Sequence, residues 1–217
     1  MTEGFETRAE YLVMDSDDLR ALYPPVHRLA ALKSMPHLDA HAQAFLERAP
    51  FLCIGTQTAE GTADVSPRGD PCGFVKVLDN RTLLIPDRPG NNRLDTLINI
   101  LANPSVGLLF LIPGFDETLR INGKAQITRD PDLLAMLAVH DRPALTAILV
   151  RVDEVFLHCA KALRRSHLWD ATRHQDRKAM PSLMKMLLDQ TEGAPATPEA
   201  IAALDEGLEE AYRTSMY

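Results

Sequence analysis

FLCIGTQTAEGTADVSPRGDPCGFVKVLDNRTLLIPD, residues 51–87, decides the fold. Four short runs within it, FLCIGTQ (51–57), TADVSP (62–67), FVKVLD (74–79) and TLLIPD (82–87), read as strands separated by turn formers. AEGT at 59–62 and LDNRT at 78–82 read as tight hairpin turns. Connections this short join antiparallel neighbours, because parallel strands need a long crossover. The stretch therefore predicts an antiparallel sheet and excludes the alternating strand–helix units of a parallel nucleotide-binding sheet.

The flanks complete the order. Upstream, DSDDLRALY (15–23) carries Ser and Asp caps, and PPVHRLAALKS (24–34) places prolines at a helix start. DAHAQAFLERA (39–49) sets Ala42, Phe45, Leu46 and Ala49 at helical spacing until Pro50 stops it, so 1–50 reads as a helical extension. Downstream, NRLDTLINILANP (92–104) has helical period and SVGLLFLIPG (105–114) is a buried strand. TLRINGKAQITRD (118–130) is one strand or a hairpin bent at Asn122-Gly123. DPDLLAMLAVHD (130–141) is a helix capped by Asp130 with Pro131 in its first turn, and ALTAILVRVDEVFLH (144–158) is a long strand. Six or seven short antiparallel strands close most naturally into a small barrel, here over 51–158. The segment 159–217 is helical: basic over 158–178, acidic over 189–210, with GAPATP (193–198) as a joint before an amphipathic helix carrying Ile201, Leu204 and Leu208 on one face.

Composition removes several functions. A net charge of −7 argues against a general nucleic-acid binder. The longest apolar run, 106–113, is strand length, so no transmembrane helix is expected. The first residues lack the basic-then-apolar pattern of a signal peptide, which makes the cytoplasm the expected location. Cys53, Cys72 and Cys159 are widely spaced without a CxxC pair, so neither a zinc ribbon nor a disulfide framework is expected. His37 and His41 share a helix face but have no third ligand nearby in sequence, so no metal site is expected. The glycine-rich nucleotide loops and the GxSxG nucleophile elbow are missing.

What remains is a pair of polar loops. SPRGDPCG (66–73) sets a guanidinium between Pro and Gly, where backbone N–H groups can also approach an anionic or planar ligand. PDRPGNNR (86–93) precedes a helix and brings Asn91, Asn92 and Arg93 to its N-terminus, an arrangement suited to phosphate. The alternative is that Asn91 or Asn92 only caps the helix and Arg93 is solvated. No general base stands out, because the loops carry no histidine.

The segment from DVSPRGDPCG through LRINGKAQI resembles the pyridoxamine 5′-phosphate oxidase-related flavoproteins, the FMN-binding split-barrel family, and within it a bacterial subfamily with SPRGD, PDRPGNNR and LRINGKA blocks. The resemblance spans roughly residues 45–170. It implies a mainly β fold with flanking helices, a six-stranded antiparallel split β-barrel, and a homodimer with FMN at the interface. By position it implies that Ser66, Pro67, Arg68 and Gly69 border the flavin, and that Ile85, Pro86 and Asp87 end the strand beneath the ring. Asn91, Asn92 and Arg93 take the place of the family's phosphate-gripping residues, and Thr118 and Arg120 that of its ring-contacting ones. In HCAKALRRSHLWD, the resemblance lets Lys161, Arg164, Ser166 and Trp169 reach the partner's flavin. Trp169 also reads as a packing aromatic, and Arg164 as a solvated or acid-paired cation. Thr118 stands where the true oxidases carry glutamine, and their arginine–histidine substrate signature near the C-terminus is not recognisable, which argues against pyridoxamine phosphate oxidation itself. The expectation is an FMN-dependent oxidoreductase acting on a small molecule, with no nucleic acid or membrane partner. The alternative is a non-catalytic split barrel holding flavin, haem or F420, or a dimer whose acidic terminal helix recruits a partner.

Overall fold

A computed structural model describes residues 7–193, 195 and 197–217. The chain divides into two compact units, Met1–Ser34 and Met35–Tyr217. In the first, the Asp15 carboxylate caps α1 (Ser16–Ala21), accepting from the N–H groups of Asp17 and Asp18 at 2.9 Å. The second helix, α2 (Arg28–Leu32), begins later than the prolines suggest. Pro24 and Pro25 precede it in irregular backbone, and His27 Nδ1 caps it by accepting from Leu29 N–H at 3.3 Å. Neither helix buries a residue.

The second unit opens with α3 (Ala40–Arg48), capped by Asp39, whose Oδ1 accepts from Ala42 N–H at 2.8 Å. Ala42, Phe45 and Leu46 on this helix belong to the same buried cluster as the strands, so the compact division falls before α3 rather than after it. Then come β1 (Phe51–Gln57), β2 (Ala63–Gly69), β3 (Lys76–Asp79), β4 (Thr82–Asp87), α4 (Asp95–Ala102), β5 (Ser105–Leu111), β6 (Thr118–Thr128), α5 (Pro131–Ala135) and β7 (Thr146–His158). Among the described residues, three α-helices follow, α6 (Lys161–Ser166), α7 (Leu183–Gln190) and α8 (Pro198–Ser215). Seven strands form one antiparallel sheet in the order β2-β1-β5-β6-β7-β4-β3, one more than the six expected, with the kind of fold unchanged.

The sheet is organised by its two long strands. β6 runs through Asn122-Gly123 without a bend, so the hairpin alternative does not form. Instead the register against β7 shifts there: Asn122 faces Glu154 and Gly123 faces Val152, leaving Asp153 as an extra residue. One inserted residue reverses the in–out parity of β7, so Val150, Val152 and Val155 are all buried. Gly123 sits at the tightest point. A Cβ there would collide with the Arg151 carbonyl oxygen and lie 3.2 Å from Val150 Cγ1.

The β6–β7 ribbon carries the other strands at opposite ends. β5 pairs with residues 119–124 of β6, whereas β4 pairs with residues 146–151 of β7, which face 124–128 of β6. Alternate residues of each strand then meet in one core, among them Leu52, Ile54, Leu108, Phe110, Ile121 and Ile148. Burial on alternating positions is the period-two signature of a sheet with one face inside. α4 packs across β1, fixed by a buried hydrogen bond from Asn99 Nδ2 to Thr56 Oγ1 at 3.1 Å.

Replacing Gly123 with Ala tests the role of the register shift. The added methyl must push the ribbon apart, at a cost of about 2–3 kcal/mol, which lowers Tm by roughly 5–10 °C in a chain of this size. Thermal unfolding of Gly123→Ala beside Gly107→Ala is the check. At Gly107 the nearest atom to a new Cβ is Asn122 Oδ1, at an ordinary 3.6 Å, so the shift there should be smaller.

Candidate cofactor site

A cavity of about 410 Å³ opens between β2, the end of β4 and the start of α4. That is within the range of small-ligand sites. Edge strand β2 supplies Ser66, Pro67, Arg68 and Gly69. Pro67 is tolerated because β2 has a hydrogen-bonding neighbour only in β1. The β4 exit supplies Pro86 and Asp87, and the loop beyond it supplies Asn91, Asn92 and Arg93. Thus nine of the sixteen residues singled out from the sequence line one cavity.

The other seven lie elsewhere in the chain. Ile85 is fully buried and part of the main core. Thr118 is buried at the start of β6. The Arg120 guanidinium lies 5.5 Å from the Phe156 ring centroid. In α6, Lys161 and Arg164 are exposed, Ser166 Oγ donates to the Leu163 carbonyl, and Arg164 Nε pairs with Asp116 Oδ2 at 2.8 Å. Trp169 Nε1 donates to the Phe115 carbonyl at 2.7 Å. Arg164 and Trp169 therefore tie the segment after β7 to the turn before β6, and none of these seven residues lines the cavity of its own chain. His37 and His41 are exposed, and no group of His, Cys, Asp or Glu among the described residues could hold a metal ion.

The polar lining is specific. Arg68 Nη1 donates to Ser66 Oγ at 2.6 Å and to the Pro67 carbonyl at 2.9 Å, and Nη2 lies 3.8 Å from Asp87 Oδ1. Its Nε is buried with no hydrogen-bond partner. One residue past each strand a second pair forms: Arg88 Nε donates to Asp70 Oδ2 at 2.6 Å. Arg88 also donates to the Leu137 carbonyl, and Tyr217 Oη donates to Asp70 Oδ1 at 2.7 Å. That bond holds the Tyr217 phenol above its ordinary pKa, because the proton is shared with a carboxylate. The two arginine–aspartate pairs join β2, at one end of the sheet order, to β4, which lies next to the other end.

The helix end differs from the expected cap. The residue before α4 is Leu94, in the left-handed region at φ 60°, and no side chain caps the helix. Asn91 Oδ1 instead accepts from the Arg93 N–H at 3.1 Å, and Arg93 pairs with Asp95 at 2.7 Å. The lining continues through Asp95, Thr96 and Leu97, so the first turn of α4 meets the cavity without a capping side chain. Uncapped helix N–H groups and the buried Arg68 N–H both ask for an acceptor, which an anionic group provides. The donor set therefore fits a phosphate-bearing cofactor.

Sequence reading did not pick out Asp70, Arg88 and Leu145. The first two stand inside the quoted loops, and their alternation with Arg68 and Asp87 was the available signal. Leu145, just before β7, carries no signal in sequence and reaches the cavity only through the β4–β7 pairing.

An antiparallel split barrel with a polar cavity at its open edge is the class this geometry defines. Residues 38–159, more than half of the chain, match the family model for pyridoxamine 5′-phosphate oxidase, and the chain belongs to that family. No curated protein matches it. Among solved structures it is similar to HupZ of Group A Streptococcus, at 14% identity over 55% of this chain and 93% of that one, with a TM-score of 0.47. It is similar also to an F420 reductase, at 19% identity over 56% and 98% of the two chains with a TM-score of 0.41. An FMN-binding protein from Syntrophomonas wolfei matches at 9% identity over 54% and 88%, with a TM-score of 0.39. Among the described residues, no helix is long and apolar enough to cross a membrane.

Asp87 offers a check on this electrostatic arrangement. Burial raises its pKa, and Arg68 offsets part of the rise. A carboxyl whose folded pKa exceeds its unfolded one adds stability below about pH 4 and loses it as pH rises through the folded value. Asp87→Asn removes that titration. Tm measured from pH 4 to 7 should therefore fall more for the native chain than for the variant.

Proposed function

We propose that the cavity binds FMN and that the protein is an FMN-dependent oxidoreductase acting on a small molecule. The observation that carries this reading is the uncapped N-terminus of α4 at the same cavity as the unpartnered Arg68 N–H. In this reading the α4 N–H groups, the Asn91–Asn92 side of the loop and Arg68 would together hold the cofactor. FMN, when bound, supplies the hydride or electron transfer. The chain's part is to hold and orient it: Ser66 steadies the Arg68 guanidinium, Asp87 balances its charge, and Val65 and Leu145 supply apolar wall.

A homodimer belongs to the same proposal. Val65, Leu94 and Leu145 are 68%, 51% and 83% exposed while lining the cavity, so a second copy laid on this face would exclude water from it. That copy would be the source of contacts from the region of Thr118, Arg120 and Trp169. A cytoplasmic location is part of the proposal as well.

The purified protein should show a two-banded flavin spectrum or acquire one on adding FMN, with FMN identified by mass after release. At FMN a hundredfold above Kd, binding contributes about 2.7 kcal/mol, so Tm rises by roughly 5–10 °C. Arg68→Met should weaken FMN at least about tenfold, the effect of a lost charge-assisted hydrogen bond. A colourless protein whose Tm ignores FMN overturns the reading. A haem or F420 spectrum replaces the cofactor, and FMN bound without turnover of NADH, NADPH or oxidisable amines leaves a flavin carrier rather than an oxidoreductase.

A further inference from the structure

Asp70 and Arg88 each stand one residue beyond a strand, β2 and β4, on the two walls of the cavity. Their 2.6 Å ion pair is the shorter of the two links between those walls, since Arg68 and Asp87 are 3.8 Å apart. The Asp70 side chain is 2% exposed and has one oxygen on Arg88. Its other oxygen accepts the phenol of Tyr217, which lies just past α8 and 147 residues away in sequence. Tyr217 is itself held on three sides: Arg142 donates to its main-chain oxygen at 2.6 Å, His140 meets its ring edge-on at 5.9 Å, and Arg88 lies 5.6 Å from the ring centroid. A carboxylate bound through one oxygen can still rotate; bound through both, it fixes its partner's position.

We propose that Tyr217 is a positioning residue of the cofactor cavity, its phenol orienting Asp70, which in turn sets Arg88 and the spacing of the two walls. The proposal rests on the FMN reading for what the cavity holds. It gives the residues just past α8 a part in the cavity: the position of Tyr217 is read there through a single hydroxyl.

Tyr217→Phe in the full chain keeps the ring and removes only that hydroxyl. FMN titration should show Kd raised about tenfold, the scale of a hydrogen bond to a charged group. Amide exchange of residues 88–94 without FMN should speed up several-fold, while Tm without FMN stays within a few degrees of the native value. Asp70→Ala should weaken FMN as well, and Tyr217→Phe added to it should cost nothing further, since the phenol then has no carboxylate left to orient. Native FMN affinity together with native exchange in Tyr217→Phe overturns the proposal, as do additive effects. A fall in Tm with exchange accelerated uniformly also overturns it, because the hydroxyl then supports the fold rather than the site. If the native chain takes up no FMN, the functional reading fails, and the local exchange result alone decides the role of Tyr217.

Discussion

The close passage of Gly123 over the Arg151 carbonyl is the constraint on which the rest of the molecule depends. Only a residue without a side chain lets β6 and β7 stay paired where Asp153 is inserted. The pairing continues on both sides of that point, so one ribbon can carry β5-β1-β2 from one end and β4-β3 from the other. The free edges are then β2 and β3, which have no ladder between them. A barrel that closed fully would have used its backbone donors and acceptors on itself. This one leaves the β2 edge and the β4 exit facing each other, and side chains rather than ladder bonds span the space.

Those side chains also account for the unusual local geometry. Asn92 and Leu94 both adopt the left-handed region, at φ 58° and 60°. For a leucine this costs about 1–2 kcal/mol. The same bend turns the first turn of α4 towards the cavity and takes away the position from which a side chain would have capped it. An orphaned N–H on Arg68 adds a desolvation cost of about 1–3 kcal/mol. Strain, an uncapped helix and an unpartnered donor meet in one place, and a bound anionic oxygen relieves two of the three. The buried Asn99–Thr56 bond, continued by Thr56 to Asp64 at 3.4 Å, holds α4 against the strands while that end stays open.

Much of this was legible in sequence. Antiparallel order follows from turn lengths, and Asp15 and Asp130 are readable as helix caps because capping is local chemistry. Nine of the sixteen candidate residues line one cavity because they fall within two quoted loops. What failed was long-range or depended on a single backbone angle. Asn122-Gly123 looks like a turn, but glycine there serves a close approach between strands, and the two uses share one dipeptide. Ile85, placed beneath the ring by the resemblance, sits by its parity in β4 in the core. Asn91 was a natural cap by composition, but it closes its own short turn on Arg93, one step before the helix. Tyr217 had no signal at all, since its partner lies 147 residues away.

The charge arrangement sets how such a site can select its ligand. Arg68, Arg88 and Arg93 all line the cavity, and each has an aspartate beside it: Asp87, Asp70 and Asp95. The fourth lining aspartate, Asp64, accepts from Thr56. The cations are therefore balanced before any ligand arrives, and a protein of net charge −7 offers no general field to draw an anion in. What attraction remains comes from oriented dipoles, the N–H groups of α4 and the buried, unpartnered Nε–H of Arg68. Dipoles act over a shorter range than net charge and depend on direction, so they favour an acceptor at the right position over any passing anion. Fixed geometry must then do what excess charge does elsewhere. That explains why the lining arginines are pinned by carboxylates, and why the spacing of the two walls matters more to this cavity than its charge.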